Sequence, residues 1–134
     1  MKFIALIFNA FFVITLLLIS CTVNTKAQES KKVSSWIEKD MQSKEKATFK
    51  SYFKNDSEAT IDGLSYEFTS LKDSKSGKSN IKQSGKFSAK PNQKITLSTI
   101  HLNSVQNETK TFKLQLKIFH QDTLIHTDSL IIAP

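Results

Sequence analysis

Residues 112–132 read FKLQLKIFHQDTLIHTDSLII, and this stretch decides the fold. Within residues 112–120, apolar and polar side chains alternate, which is typical of a β-strand with one buried face. The apolar face consists of Phe112, Leu114, Leu116 and Ile118. Gln121-Asp122 predicts a tight turn, after which residues 123–132 return as the last strand. The residues of that strand available for burial are Leu124, Ile125, Leu130 and Ile131.

The same alternation extends toward the N-terminus. Two earlier strands each place their larger apolar residues on one face: Ala47, Phe49, Ser51 and Phe53 in the first, and Leu64, Tyr66 and Phe68 in the second. Residues 73–78 predict a polar connector to a short strand over residues 79–88, which we expect to be bent or bulged at Gly85. Pro91-Asn92 predicts another turn, and residues 95–100 are partly apolar on both faces.

Residues 28–45 form a polar, lysine-rich lead with few large apolar side chains. Val33, Ile37 and Met41 have the i, i+4, i+8 spacing of a short amphipathic helix. A first, imperfect strand docked through Trp36 or Ile37 is the competing interpretation. We favour the strand because the segments that follow are strands.

These segments predict about seven short strands with turn signals roughly every ten residues and no long helix. That pattern indicates an all-β fold, an immunoglobulin-like antiparallel β-sandwich, over residues 46–134. The chain has a single Cys, so the Cys–Trp–Cys core of antibody domains is absent and only the architecture is predicted.

The first residues predict an export signal. Met1-Lys2 is followed by an almost wholly apolar run over residues 3–19, with no basic stop-transfer cluster directly after it. Cleavage after Ala27 makes residues 1–27 the signal peptide. Leu18-Ile19-Ser20-Cys21 also resembles a lipobox, in which case residues 1–20 are removed and Cys21 is lipidated. Either outcome places the protein in the periplasm, and stability must then come from a hydrophobic core rather than from disulfides.

Composition and motif spacing argue against several functions. The three histidines, His101, His120 and His126, match no short metal-ligand pattern, and no nucleophile elbow or phosphate-binding glycine loop is present. We therefore expect no enzyme, no metal and no cofactor. All 19 basic residues are Lys and the formal charge is +7. Because these lysines are dispersed and Arg is missing, we expect no nucleic-acid binding and assign the lysines to solubility and edge protection.

Residues 76–88 read SGKSNIKQSGKFS and form a distinctive motif. A small-residue loop is followed by Ser-Asn-Ile-x-Gln-Ser-Gly and then Phe-Ser. The motif residues are Ser76, Gly77, Ser79, Asn80, Ile81, Gln83, Ser84, Gly85 and Phe87. This segment resembles the signature of the curli-assembly chaperone family CsgH, and the resemblance extends over roughly residues 47–130. We expect the motif residues to be mostly structural.

The resemblance implies a periplasmic chaperone that keeps curli-type amyloid subunits soluble and inhibits premature fibre formation before secretion. The partner is then a curli-type amyloid subunit, contacted transiently by a monomer. A polar strand face made by Lys113, Gln115 and Lys117, with Phe119 as an apolar contact, is our candidate for the contact surface. The membrane is contacted only through the signal peptide or a lipid on Cys21.

Two other classes of function remain open at this stage. One is a lipid-anchored envelope adhesion or structural module without chaperone activity, which depends on Cys21. The other is a small ligand-binding envelope protein.

Overall fold

The computed structural model describes residues 32–41, 46–103 and 110–133. It contains seven β-strands: β1 (Val33–Met41), β2 (Lys46–Asn55), β3 (Ile61–Ser74), β4 (Gly77–Ala89), β5 (Lys94–Asn103), β6 (Lys110–His120) and β7 (Thr123–Ile132). In the described part of the chain, no helix has the length and apolarity needed to cross a membrane. The predicted signal peptide and Cys21 lie outside the described residues.

The seven strands form two antiparallel sheets. One sheet has three strands in the order β1-β2-β5, and the other has four in the order β4-β3-β6-β7. The immunoglobulin-like β-sandwich predicted from the strand pattern is therefore confirmed.

The core lies between the two sheets and is built from the predicted alternating faces. On β2, Phe49 and Phe53 are completely buried, as is Phe68 on β3. The apolar face of β6 is also buried, with Phe112, Leu114, Leu116 and Ile118 all at most 2% exposed. At ~25 cal/mol per Å² of apolar surface, each of these side chains stabilises the fold by about 2 kcal/mol. The alternation of β2 and β6 therefore identifies the centre of the core correctly.

Residues 33–41 of the polar lead form a strand, and the helix alternative for this stretch is wrong. β1 pairs with β2 along its whole length, from Val33 opposite Asn55 to Met41 opposite Ala47. Ile37 packs against the core. Trp36 lies on the opposite face and stacks on Tyr52 with ring centroids 5.3 Å apart. The Lys94 ammonium lies 4.1 Å from the centroid of the Tyr52 ring, a cation–π contact that ties β5 to the same outer surface.

Two bulges change which residues face the core. Leu97 is the extra residue on β5, since Ser51 pairs with Ser98 while Tyr52 pairs with Thr96. The bulge therefore shifts the inward-facing positions of β5 from odd residue numbers, as at Ile95, to even ones, as at Ile100. This shift explains why the sequence of β5 appears apolar on both faces. On β7 the extra residue is Ile125, between the pairs that involve His126 and Leu124.

The prediction that Leu124 and Ile131 are available for burial is wrong. Leu124 is 50% exposed and Ile131 is 64% exposed. Ile132 and Leu130 pair with Phe112 and Leu114 of β6, which face the core, so they face inward too. Ile131 lies between them and pairs with the outward-facing Lys113, so it points outward. Leu130 and Ile125 are partly buried against the core, as predicted.

The segment predicted as a polar connector is instead a long hairpin. β3 continues to Ser74 and β4 begins at Gly77, so only Lys75 and Ser76 lie between the strands. Gly77, at φ +128°, has a backbone conformation that favours glycine. This segment is polar because both of its faces are exposed to solvent, and not because it forms a loop.

Gly85 is not the site of a bulge. It pairs in regular register with Tyr66, and the bulge between β3 and β4 lies near Gly63, at φ +70°. A Cβ at Gly85 would lie 2.9 Å from a ring carbon of Tyr66. Gly85 is therefore required because the Tyr66 ring crosses its backbone.

The loop after β2 is held by Asn55 and Asp56. The Asn55 side chain is fully buried, and its amide donates to the carbonyls of Ala59, Ala89 and Lys90 at 2.8–3.1 Å. The Asp56 carboxylate accepts from Lys54 at 2.5 Å, and this hydrogen bond lowers the pKa of Asp56. Asn55 thereby joins the end of β2 to the turn between β4 and β5, and Asp56 joins it to β1 through Ser34 Oγ at 3.2 Å.

Candidate functional site

The predicted contact residues share one face of β6. Lys113, Gln115, Lys117 and Phe119 alternate with the buried Leu114, Leu116 and Ile118, so they point away from the three-stranded sheet. We call the surface to which they belong the outer face of the four-stranded sheet. Its other main members, from β3, β4 and β7, are Ser65, Glu67, Thr69, Leu71, Lys78, Lys82, Lys86, Leu124, Thr127, Ser129 and Ile131.

This outer face carries exposed apolar side chains as well as lysines. Leu71, at 47% exposed, and Ile131 flank Lys113 in one cross-strand row. Phe119 is opposite Leu124 in another row. Sequence reasoning placed Leu124 and Ile131 among the residues available for the core and so missed them here. Ile131 points outward because it pairs with Lys113, and Leu124 does so because of the bulge at Ile125, which has no clear signal in the sequence.

The charges of the outer face are only partly paired. Lys82 lies 2.9 Å from Glu67, and Lys78 lies 3.3 Å from Asp73. Both ion pairs are exposed, with the Lys78 side chain 81% accessible, so each contributes little to stability and exchanges partners easily. Within the described residues, Lys113 and Lys117 make no ion pair. The outer face therefore presents a net positive, weakly constrained charge.

Two open depressions lie on this side of the molecule. The first, of about 330 Å³, has Phe119, Lys86 and Asp122 in its lining. The second, of about 660 Å³, is lined by Leu71, Lys113 and the neighbouring residues of the β3–β4 hairpin. Neither is the enclosed, apolar cavity that small-molecule sites usually provide. The geometry fits an extended polypeptide better than a compact ligand.

The motif residues fall into two groups. Ser76, Gly77, Ser79, Asn80 and Ile81 belong to the exposed end of the β3–β4 hairpin. Gln83, Gly85 and Phe87 lie deeper and contact the rest of the sandwich, whereas Ser84 is exposed opposite Glu67. Phe87 meets Phe53 edge-to-face at 5.2 Å, and the Gln83 amide donates to the Thr99 carbonyl at 3.3 Å. This second group joins β4 to the three-stranded sheet.

On the opposite side of the sandwich, β7 meets β1 through polar side chains. Asp128 Oδ2 accepts a hydrogen bond from the backbone N–H of Ile37 at 2.8 Å. His126 Nδ1 and Ser35 Oγ are 2.6 Å apart. Sequence reasoning missed Asp128, although an acidic residue at an inward strand position is an unusual pattern. These contacts close the gap between the two edge strands.

The histidines are separated from one another. His101 lies 3.0 Å from Thr48 Oγ1 on the outer side of the three-stranded sheet, whereas His126 lies between the sheets. Within residues 32–41, 46–103 and 110–133, no group of three or more His, Cys, Asp or Glu side chains is arranged to hold a metal ion.

The fold and this surface define a small immunoglobulin-like β-sandwich with a lysine-rich, partly apolar sheet face. The chain belongs to the CsgH protein family, whose family model matches residues 43–128. This confirms the resemblance found through residues 76–88 and supports a curli-related role for the protein. No match is found among curated proteins.

Two solved structures share the fold. The solution structure of R. palustris CsgH matches with a TM-score of 0.50 and 21% identity, covering 76% of this chain and 92% of that one. The E. coli curli protein CsgC matches with a TM-score of 0.54 and 22% identity, covering 75% of this chain and all of the other.

Proposed function

We propose that this protein is a periplasmic chaperone that keeps curli-type amyloid subunits soluble until they are secreted. The family membership supplies the link to curli. The observation that carries the proposal is the outer face of the four-stranded sheet. Of the four large apolar residues that are exposed in the described chain, Leu71, Leu124 and Ile131 lie on this face.

The proposed mechanism is transient contact with the unfolded subunit. Amyloid subunits assemble when unpaired strand segments template one another. Apolar residues separated by lysines offer such segments many weak contacts, but no continuous apolar patch that would bind them permanently. A monomer that exchanges rapidly among client molecules then delays nucleation at substoichiometric amounts. This mechanism uses no cofactor and no catalytic residue.

Export is part of the proposal. The signal peptide of residues 1–27 places the mature chain in the periplasm, where a curli subunit travels before secretion. The alternative cleavage, after residue 20, leaves a lipid on Cys21 and anchors the same domain to a membrane. Both forms expose the same sheet face to a client.

A fibre-formation assay tests the proposal. Purified protein is mixed at substoichiometric ratio with freshly denatured curli-type subunit, and the lag before thioflavin fluorescence rises is measured. We expect a longer lag with the protein present. An unchanged lag contradicts the chaperone proposal and favours the adhesion or structural module.

A matched pair of variants then tests the surface. Replacing Lys113, Gln115 and Lys117 together with Ser is expected to shorten the lag toward that of the subunit alone. The control replaces Lys46 and Lys50 with Ser on the outer side of the three-stranded sheet, which removes the same amount of charge. If both variants behave like the unmodified protein, the outer face of the four-stranded sheet is not the contact surface.

A further inference from the structure

The two gaps between the sheets differ in how they are closed. At the β1–β7 gap, Asp128 accepts from the Ile37 amide and His126 contacts Ser35, so the edge of β1 is covered by side chains. An inward-pointing charged residue on an edge strand is a recognised way to prevent unwanted strand pairing. This side of the sandwich is therefore protected against the addition of another strand.

The β4–β5 gap is bridged at Gln83. Its amide donates to the Thr99 carbonyl, and Ser98 Oγ donates to its Oε1. Between Gln83 and the hairpin turn, residues 77–82 are all exposed. Within the described chain, their only strand partner is β3. Alternate backbone N–H and C=O groups of this edge consequently point into solvent.

The exposure of Ile81 shows that this edge of β4 is open to solvent. It lies opposite Ser70, which is 2% exposed and faces the three-stranded sheet. Ile81 points the same way, yet it is 43% exposed. An added strand would shield this side chain as well as satisfy the backbone.

The same edge carries regularly spaced positive charge. Lys78, Lys82 and Lys86 recur every four residues on the outer face, about 13 Å apart at the rise of a β-strand. Lys78 and Lys82 are engaged only in exposed ion pairs, and Lys86 has no ion pair within the described residues. This spacing complements carboxylates on a neighbouring strand and repels a second copy of β4.

We propose that residues 77–84 of β4 pair through main-chain hydrogen bonds with an extended acidic segment of the unfolded amyloid subunit. The carboxylates of that segment face Lys78 and Lys82 along the paired stretch, and Lys86 adds positive charge just beyond its end. Strand addition to an exposed sheet edge is a common mode of peptide recognition, in which main-chain bonds supply affinity and alternate side chains supply specificity. The inference rests on the proposed function and specifies how the client is held.

Synthetic peptides test the pairing separately from chaperone activity. The probe is three repeats of Ser-Glu-Ser-Gln, added to isotope-labelled protein and followed by NMR. We expect amide shifts and slowed hydrogen exchange in residues 77–84, and roughly tenfold weaker binding when Lys replaces Glu in the peptide. Changes located in other strands, or equal binding of both peptides, overturn the proposal.

Two further controls separate backbone pairing from simple charge attraction. A peptide of the same sequence that is N-methylated at every residue keeps its carboxylates but cannot donate main-chain hydrogen bonds, and it is expected not to bind. Equal binding of this peptide overturns strand pairing. In the protein, replacing Lys78, Lys82 and Lys86 with Gln should weaken binding, whereas replacing Lys46, Lys50 and Lys54 with Gln on the central strand β2 should not.

The two proposals can fail independently. Peptide pairing at β4 without any effect on fibre lag retains the edge site and contradicts the chaperone function. A lengthened lag with equal binding of the methylated and unmethylated peptides retains the chaperone and contradicts strand pairing.

Discussion

At the scale of single residues, Asn55 is the clearest case of a buried polar side chain that organises its surroundings. Its amide donates hydrogen bonds to carbonyls from two separate loops. Its Oδ1 accepts hydrogen bonds from the backbone N–H and the hydroxyl of Ser57, at 3.0 and 2.6 Å. Residues 55–57 read Asn-Asp-Ser, and these turn formers indicate from the sequence alone that the strand ends here. The contacts with Ala89 and Lys90 could not be predicted, because they join positions more than thirty residues apart.

Substitution of Asn55 by Ala is expected to lower the free energy of unfolding by about 2–4 kcal/mol. Several carbonyls and the Ser57 donors would lose their partner in a largely buried setting, where each unsatisfied group costs about 1–3 kcal/mol. Urea unfolding followed by tryptophan fluorescence measures the change. Asn103→Ala, at an exposed position on β5, is the control. A loss below about 1 kcal/mol at Asn55 would show that water replaces these bonds at little cost.

At the scale of strands, the sequence predicts faces well wherever the alternation is unbroken. The buried apolar residues of β2 and β6 were all identified from their period of two, whereas the buried polar residues Thr48 and Asn55 of β2 were not. The prediction failed for Leu124 on β7, because one extra residue at Ile125 reverses the direction of Leu124 relative to the rest of that strand. A bulge depends on register with the neighbouring strand, which a single segment does not reveal.

The edge contact of β7 with β1 gives a second prediction. Asp128→Ala should lower the free energy of unfolding by about 1–3 kcal/mol, since the Ile37 N–H loses its acceptor. It should also promote self-association through the uncovered edge of β1. Urea unfolding and sedimentation velocity measure the two effects. Asp40→Ala, at an exposed position on β1, is the control, and a fully monomeric, equally stable Asp128 variant contradicts the protective role.

At the scale of the whole molecule, charge and architecture were the most predictable features. Seven strands, the sandwich class and the family followed from alternation, turn residues and the motif at residues 76–88. The candidate site was only half predictable. Lys113, Gln115 and Lys117 lie on one surface as expected, but their apolar neighbours Leu71 and Ile131 are brought there by strand pairing across the sheet.

The charge of the whole protein leads to a prediction about salt. The formal charge is +7, and two of its lysines, Lys2 and Lys26, lie in the proposed signal peptide. If lysines attract an acidic client, raising the salt concentration from about 0.05 M to 0.5 M should shorten the lag that the protein imposes, because the Debye length falls to a few ångströms. The lag of the subunit alone is measured at each salt concentration as the control. A delay that is insensitive to salt would assign the client contact to the apolar side chains.

The Gln83 bridge has a consequence for motion. It divides the long β3–β4 hairpin into an inner half, anchored by Phe87 and Gly85, and an outer half with few buried contacts. Segments with little buried surface open at a small free-energy cost while the rest of the protein stays folded. Residues 77–82 of β4 can therefore fray and re-form many times within the lifetime of a single native molecule, while β3 stays paired with β6. A partner could be released by this local opening alone, without the β-sandwich ever unfolding.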